Sequence, residues 1–294
     1  MGSDACFRMG STHQICQDYA IAGAHHGFDK DVLYAILSDG CSGVHTPGEP
    51  GSPFTDFGSR FLVRAANQFL KVNCRSVREY GASAEVLEHF GEISIVGDAY
   101  NMALHAHFDR RALDGTLIRA VQLPSGEVIV HQAGDGVVAA RNRDTGLIRY
   151  HTTKFGNNMP YYLSYLLDLN ERDRYFSMAK TVEVVHARQT EDGWKEHSLE
   201  LPLNRETKTA QEFRFTPEND LVLIMSDGAE SFQDREGQPV PVEKIVEQLF
   251  DVKSFEGEFL VRRCNRFLTK FCAERGWKHN DDFSVAGIYI KATP

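Results

Sequence analysis

The sequence predicts an α+β fold built from layers of strands and helices. Apolar runs typical of buried strands dominate the middle of the chain, from Gly126 to Met225. Segments with helical spacing occur in two pairs, one before this region and one after it. Because strands and helices are segregated instead of strictly alternating, the order favours a layered α+β fold over repeated parallel βαβ units.

Seven segments predict strands, because they are apolar runs or alternate between apolar and polar positions and end at turn-forming residues. They are residues 31–37, 126–141, 180–188, 197–201, 212–215, 221–225 and 283–290. Four further segments carry apolar residues at every third or fourth position and predict helices with one face toward the core. They are residues 54–69, 86–108, 242–249 and 259–271, the last ending near Gly276.

We expect one domain over residues 1–294, since sandwiches and barrels of this length often form a single unit. The segment 150–174 interrupts the strand-rich middle of the chain with the sequence "YHTTKFGNNMPYYLSYLLDLNERDR". This interruption predicts a flap over a site, within an insertion around residues 150–215.

Composition excludes several classes of protein. A net charge of -9 and a pI near 5.7 argue against binding to nucleic acid or an anionic membrane, which requires clustered cations. The sequence shows no secretory leader and no run of about 18 apolar residues, so we expect a cytoplasmic protein without a membrane span. The six cysteines form no Cys-x-x-Cys pair, which indicates reduced thiols.

Aspartates recur at the ends of the predicted strands. The runs "DVLYAILSDG", "GEVIVHQAGDG" and "DLVLIMSDG" each end in Asp-Gly, at Asp39, Asp135 and Asp227. Asp18 occurs in "CQDYA", and Asp281 in "HNDDFSVAGIYI" lies at the start of a predicted strand. A single Asp-Gly pair is most often only a turn, but carboxylates brought together repel one another unless a cation neutralises them. The pattern therefore predicts a shared divalent cation.

The residues beside these aspartates indicate which metal is bound. No His-Glu-x-x-His motif, cysteine pair or histidine pair accompanies them. An all-oxygen ligand set is the one that Mg²⁺ or Mn²⁺ prefers. We therefore predict Mg²⁺ or Mn²⁺ and not zinc.

Six motifs in order carry a resemblance to a known family. The motifs are "GSTHQICQDYA", "LSDGCSG", "DGTLIRAV", "QAGDGVVAARN", "LIMSDGAESF" and "HNDDFSVAGIYI". Together they resemble the PP2C (PPM) family of metal-dependent protein Ser/Thr phosphatases, and most closely its compact bacterial branch. The resemblance extends over residues 10–290. It implies a four-layer α-β-β-α sandwich, in which two mainly antiparallel sheets are flanked by helices and metals bind at one end of the sheets.

The resemblance also implies roles for individual residues. Asp39 would bridge two metal ions, and the backbone carbonyl of Gly40 would bind one of them. Asp227 and Asp281 would hold the second ion. Asp135 matches a position that helps to bind a third, weaker metal in the family. The implied cofactors are therefore two Mn²⁺ or Mg²⁺ ions, with a weaker third.

The chain departs from the family pattern at three positions. Asp18 matches an acidic position of the first motif and is a predicted metal ligand, but Gln17 precedes it where many relatives have Glu. His13 takes the place of an arginine that grips phosphate, and we predict that it contacts phosphate as a cation. Cys41 replaces the histidine proposed as the acid for the leaving group, so that role has no assigned residue.

The implied function is hydrolysis of phosphoserine and phosphothreonine on proteins, by direct attack of a water that bridges the metals. Asp39 and His13 are the predicted catalytic residues. The expected partners are phosphoproteins and a cognate Ser/Thr kinase, and the expected state is a monomer. Two alternatives remain: a catalytically silent phosphate-sensing or scaffold protein on the same fold, and a phosphatase of small phosphorylated metabolites. Cysteine-dependent phosphatase chemistry is excluded, since no cysteine is followed six residues later by arginine.

Overall fold

The computed structural model describes residues 2–26, 31–41, 54–79, 91–203 and 210–291, with the backbone alone described for 74–79. Fourteen strands are present in these ranges: β1 Gly2–Arg8, β2 Tyr19–His26, β3 Asp31–Ser38, β4 Leu117–Gln122, β5 Val128–Ala133, β6 Gly136–Asn142, β7 Ile148–Phe155, β8 Thr181–Thr190, β9 Gly193–Pro202, β10 Ala210–Phe215, β11 Asn219–Met225, β12 Phe232–Gln233, β13 Lys278–His279 and β14 Phe283–Tyr289. The helices are α1 Thr55–Glu79, α2 Gly91–His105, α3 Leu169–Met178, α4 Val242–Phe250, α5 Phe259–Arg266 and α6 Ala273–Arg275.

The strands form two large sheets and one short ribbon. The larger sheet has seven strands in the order β1-β14-β11-β6-β7-β8-β9, and the smaller has five in the order β10-β5-β4-β3-β2. Every neighbouring pair in both sheets is antiparallel. The ribbon pairs β12 with β13. This arrangement confirms the prediction of two mainly antiparallel sheets.

Strand β11 shows how the layers arise from the sequence. Successive side chains of a strand point to opposite faces of the sheet. Leu221, Leu223 and Met225 therefore pack in a cluster with α4 and α5 on one face. Val222 and Ile224 point the other way, into the cluster shared by the two sheets. An apolar run without alternation is thus explained by burial on both faces.

Strand β3 does the same in the five-stranded sheet. Its odd-numbered residues Leu33, Ala35 and Leu37 face the seven-stranded sheet, and even-numbered residues such as Ile36 pack with α1 and α2. The molecule therefore has the four layers helix, sheet, sheet, helix. The predicted α-β-β-α sandwich is confirmed.

Several predicted elements differ from those observed. The predicted strand over 126–141 is two strands, β5 and β6, which belong to different sheets. Strands β1, β2, β4 and β7 were not predicted, since they mix polar and small residues with apolar ones. The predicted helix over 86–108 is observed from Gly91, whereas residues 86–90 lie outside the described part of the chain. The predicted helix over 259–271 continues from α5 through a π-helical turn, Phe267–Cys272, to α6.

The predicted flap region around 150–215 contributes four strands to the sheets, β7 to β10. Between β7 and β8 the chain forms short 3₁₀ turns and α3, which pack around a small core that contains Tyr161 and Tyr175. Movement of this segment as a flap stays a prediction. In the part of the chain that the structure describes, no helix is long and apolar enough to cross a membrane.

Candidate active site

The predicted metal ligands gather at one end of the two sheets because of strand register. Tyr19 pairs with Ser38, so Asp18 before β2 and Asp39 after β3 are neighbours just beyond this pair. In the other sheet Met225 pairs with both Val137 and Val285. Asp135 before β6, Asp227 after β11 and Asp281 before β14 therefore lie at the same end of the strands. The structure brings all five predicted aspartates together.

Asp135 lies where the chain crosses from one sheet to the other. β5 belongs to the five-stranded sheet and β6 to the seven-stranded sheet, so the two-residue link must turn sharply. Gly134 and Gly136 both have positive φ angles, of 93° and 127°, which residues with a Cβ rarely adopt. A Cβ at Gly134 would also lie 2.7 Å from the Thr116 side chain. The two glycines therefore hold Asp135 at the sheet edge.

Asp39 is held by its backbone. Its N–H donates to Thr116 Oγ1 at 3.2 Å, and its carbonyl accepts from the Thr116 N–H at 2.8 Å. Gly40 donates from its N–H to the Gln17 carbonyl at 3.3 Å. The Gln17 side-chain amide donates to Thr55 Oγ1 at 2.8 Å. The Asp39 side chain thus projects from a backbone that is fixed on both sides.

Asp18 is fully buried, and its two oxygens differ. Oδ2 accepts a hydrogen bond from the Ser226 hydroxyl at 2.8 Å. Oδ1 accepts none from the described residues, and the same holds for buried Oδ1 of Asp227. A buried carboxylate oxygen without a partner is costly unless a cation reaches it. These two oxygens are therefore the strongest structural mark of a cation site.

Burial and mutual repulsion raise the pKa values of these carboxyl groups. Burial raises the pKa of Asp18 to about 7, although the neighbouring Asp39 carboxyl and the Ser226 hydroxyl lower it in part. Burial, followed by the charges of Asp18 and Asp227, holds the pKa of Asp39 well above its usual range. Asp227 is raised to a pKa of about 6 and Asp135 to about 8, in both cases first by burial. A divalent cation would offset the repulsion between these carboxylates and stabilise their charged forms.

The consecutive residues Asp281 and Asp282 have different surroundings. Asp281 lines the cleft, and 41% of its side chain is exposed. Asp282 is buried and accepts the backbone N–H groups of Gly10, at 2.7 Å, and of Gln17. Asp282 therefore braces the first motif, a role that the sequence analysis missed.

His13 lies between the same two carboxylates. Its Nε2 is 3.4 Å from Asp281 Oδ1, and its Nδ1 is 3.1 Å from Asp282 Oδ2. Burial lowers the pKa of His13, but the hydrogen bond and charge of Asp282, with the charge of Asp281, outweigh it and raise the pKa overall. The structure thus places His13 beside a predicted metal ligand, and its contact with phosphate stays a prediction.

Two adjoining clefts open over the carboxylates, with volumes of about 390 Å³ and 410 Å³. Both are lined by Asp135, Asn158, Asp227 and Asp281. The first also includes Asp39, Gly40, Cys41, Thr116, Pro160 and Tyr162. The second adds Thr153, Lys154, Phe155, Glu230 and Ser231. The segment after β7 therefore contributes Asn158, Pro160 and Tyr162 to the walls of these clefts.

Cys41 and Tyr162 meet in the first cleft. Burial holds the pKa of Tyr162 well above its usual range, and a hydrogen bond with Cys41 raises it further. The hydroxyl therefore keeps its proton. Tyr162, Lys154 and Glu230 were not identified from sequence. Tyr162 and Lys154 lie outside the strand-end motifs, and Glu230, although part of "LIMSDGAESF", lies three residues beyond the aspartate at the strand end.

The donor set fits Mg²⁺ or Mn²⁺. All of the gathered side chains are carboxylates, which these ions prefer. Two of their buried oxygens, Oδ1 of Asp18 and of Asp227, accept no hydrogen bond from the described residues. No group of three or more His, Cys, Asp or Glu side chains in the described ranges already converges on one metal position. Such convergence is not required, because these ions keep several water ligands and take only one or two carboxylates each.

Comparison with known proteins identifies the family. The sequence profile described as Protein phosphatase 2C matches residues 10–268, which is most of the chain. The chain therefore belongs to the protein phosphatase 2C family, as the resemblance predicted. Comparison with curated protein sequences gives no match.

Two solved structures share the fold. Serine-threonine phosphatase 2C from Toxoplasma gondii superposes with a TM-score of 0.52 at 13% identity, over 98% of this chain and 94% of that one. Serine/threonine phosphatase Stp1 from Staphylococcus aureus gives a TM-score of 0.50 at 11% identity, over 99% of this chain and 95% of that one. At such identities the likeness shows the fold alone.

Proposed function

We propose that this protein is a metal-dependent phosphatase that hydrolyses phosphoserine and phosphothreonine on proteins. The observation that carries the proposal is the set of five aspartates at one sheet edge, in a chain of the protein phosphatase 2C family. Two of them, Asp18 and Asp227, have buried oxygens without a partner among the described residues. Phosphoproteins, with a kinase that phosphorylates them, are the partners that this activity would require.

Each residue has a proposed part in holding the ions and the substrate. Asp39, which contacts both Asp18 and Asp227, would be shared between two ions. Asp281 would complete the coordination of the second ion, and Asp135 would bind a third ion more weakly. When bound, such ions supply the positive charge that lowers the pKa of an attacking water and neutralises phosphoryl oxygens. The protein's own contribution is to fix the carboxylates on rigid strand ends.

The walls of the cleft would orient the phosphorylated side chain. Asn158 lines both clefts and has a left-handed backbone, with a φ of 51°. Tyr162 keeps its proton beside Cys41, the position at which the family has a histidine. The departing serine or threonine oxygen needs a proton, and we propose that a water in this cleft supplies it.

Phosphate release with Mn²⁺ tests the proposal. Peptides that contain phosphoserine, phosphothreonine or phosphotyrosine are compared with small phosphate esters, with chelator as the blank. We expect turnover of phosphoserine and phosphothreonine peptides only with metal. Faster turnover of the small esters would favour a metabolite phosphatase. Metal binding without turnover of any ester would favour the silent phosphate-sensing alternative.

A further inference from the structure

The acidic cleft presents a charge problem for a phosphorylated substrate, on the assumption that the proposed function holds. A phosphate monoester carries close to two negative charges near neutral pH, while the cleft is lined by Asp39, Asp135, Asp227, Asp281 and Glu230. Divalent ions offset part of this charge. Phosphoryl-transfer sites usually add a lysine or arginine that binds the phosphoryl oxygens.

Lys154 is the side chain that meets this requirement. Among the described residues that line the two clefts, it is the single lysine or arginine. Its ammonium lies 2.9 Å from Glu230 Oε1, and 52% of its side chain is exposed. Since exposed ion pairs contribute little stability, the ammonium can exchange Glu230 for a phosphoryl oxygen at low cost.

The backbone of Lys154 is well placed for this role. It lies near the end of β7, a strand with neighbours on both sides in the seven-stranded sheet. Lys154 itself pairs with Glu183 of β8, and the preceding Thr153 pairs with Gly136, next to Asp135. The anchor of the side chain is therefore fixed relative to the aspartates, while its flexible methylene chain provides reach.

His13 is a weaker candidate for the same contact. Both of its ring nitrogens face carboxylates, at 3.4 Å from Asp281 and 3.1 Å from Asp282. A phosphate at His13 would have to replace one of these contacts beside a buried aspartate.

We propose that Lys154 binds the phosphoryl oxygens of the substrate, and that Glu230 holds its ammonium at the cleft wall between turnovers.

The expected effect is on binding more than on turnover. The phosphoryl group is charged both in the bound substrate and in the transition state, so its contact with Lys154 acts on both. Lys154→Met keeps the length of the side chain and removes its charge. It should raise KM for a phosphopeptide about tenfold, with kcat within about threefold, and weaken inhibition by inorganic phosphate by the same factor as KM. Lys154→Arg should restore both.

Two further variants separate phosphate binding from a structural role. Lys195→Met is the matched control, because Lys195 is an exposed lysine of β9 near an aspartate, 4.0 Å from Asp192, and lies outside the clefts. It should leave KM unchanged. If Lys154 only neutralised Glu230, the double variant Lys154→Met with Glu230→Gln would recover the wild-type KM and Mn²⁺ affinity. That recovery, or an unchanged KM in Lys154→Met, would overturn the proposal.

Calorimetric titration of inorganic phosphate into the Mn²⁺-loaded protein gives a readout that needs no turnover. The wild type should bind phosphate about tenfold more tightly than Lys154→Met, while Mn²⁺ itself binds both equally. Equal phosphate affinities would overturn the role of Lys154. If the wild type hydrolyses no ester, the proposed function fails, and this titration still decides whether Lys154 binds phosphate.

Discussion

Ser226 Oγ donates a hydrogen bond to Asp18 Oδ2 at 2.8 Å, and this bond joins the two sheets at the edge where the aspartates gather. Ser226 follows β11 in the seven-stranded sheet, and Asp18 precedes β2 in the five-stranded sheet. The same hydroxyl accepts the Ser284 N–H at 3.0 Å. Because Asp18 is fully buried, water cannot replace this donor. The position of Asp18 therefore depends on Ser226.

Ser226→Ala should lower the free energy of unfolding by about 1–3 kcal/mol without metal, since it leaves a buried carboxylate oxygen without a donor. It should also weaken Mn²⁺ binding. Ser38→Ala is the matched control, because Ser38 is equally buried but donates to the Thr116 carbonyl, at 2.6 Å. Urea denaturation and calorimetric Mn²⁺ titration compare the two. Equal Mn²⁺ affinity in both variants would contradict the link between Ser226 and the metal site.

The strand ends were the part of the site that sequence could predict. A buried strand that stops at Ser-Asp-Gly shows both its burial and its carboxylate in nine or ten consecutive residues. Strand register then brings the aspartates together. The pairing of Tyr19 with Ser38, for example, places Asp18 beside Asp39. The five aspartates were therefore predictable from local pattern and family order.

The rest of the site depends on tertiary relationships. The Gly134-Asp135-Gly136 sequence indicates a turn between two apolar runs, but nothing in it shows that β5 and β6 lie in different sheets. Asp282 is buried and Asp281 lines the cleft because it is the side chain of Asp282 that contacts the backbone of Gly10. Lys154 belongs to β7, in which polar and apolar residues are mixed, so the sequence does not show that this strand is buried. Its place at the cleft follows only from the pairing of β7.

Asp39→Asn should lower phosphatase turnover at least about a hundredfold, which corresponds to about 2.7 kcal/mol in the barrier. Without metal its stability should match or exceed that of the wild type, because the charge between Asp18 and Asp227 is removed. Phosphate release and thermal melting in chelator measure the two effects. Asp220→Asn is the control, since Asp220 pairs with Arg141 at 2.7 Å and 2.9 Å, and should lose stability. Turnover within about tenfold of the wild type would exclude a shared ligand at Asp39.

Asp135→Ala tests the weaker third metal. We expect two tight Mn²⁺ sites to remain while most turnover of phosphopeptides is lost, because the third ion would act only on the path to the transition state. The control is Asp144→Ala, an exposed aspartate in the turn between β6 and β7. Calorimetry and steady-state kinetics distinguish the outcomes. Full turnover with a stability loss of about 1 kcal/mol would make Asp135 a turn residue only.

His13→Ala tests whether this ring contacts phosphate or positions Asp281. If it contacts phosphate, KM for a phosphopeptide should rise more than kcat falls. Its position between Asp281 and Asp282 provides the contrasting expectation of weaker Mn²⁺ binding at constant KM. Kinetics at saturating Mn²⁺, with metal titration on the same variant, separates them. An unchanged KM would leave phosphate binding to other residues.

His151, which lines neither cleft, makes the stability of the fold depend on pH. Its ring stacks on Phe213 at 4.9 Å, and its Nδ1 lies 2.6 Å from His186 Nδ1. Burial, followed by the charges of His186 and Arg149, lowers the pKa of His151 to about 3. The rings of Phe215 and His186 also pack against it. In the unfolded chain the pKa returns to about 6.5.

Acid should therefore destabilise the wild type more than His151→Phe. Between pH 6.5 and pH 3 the unfolded chain binds a proton that the folded ring rejects, so this contribution is present above pH 6.5 and is lost as the pH falls. At pH 5 the loss is about 2 kcal/mol. The variant also loses the hydrogen bond to His186, which lowers its whole curve, so only the change between pH 7.5 and pH 5 is compared. Urea denaturation in chelator measures it, with exposed His105→Phe as the matched substitution. Parallel pH profiles of the wild type and His151→Phe would show that the His151 ring is protonated equally in the folded and unfolded states.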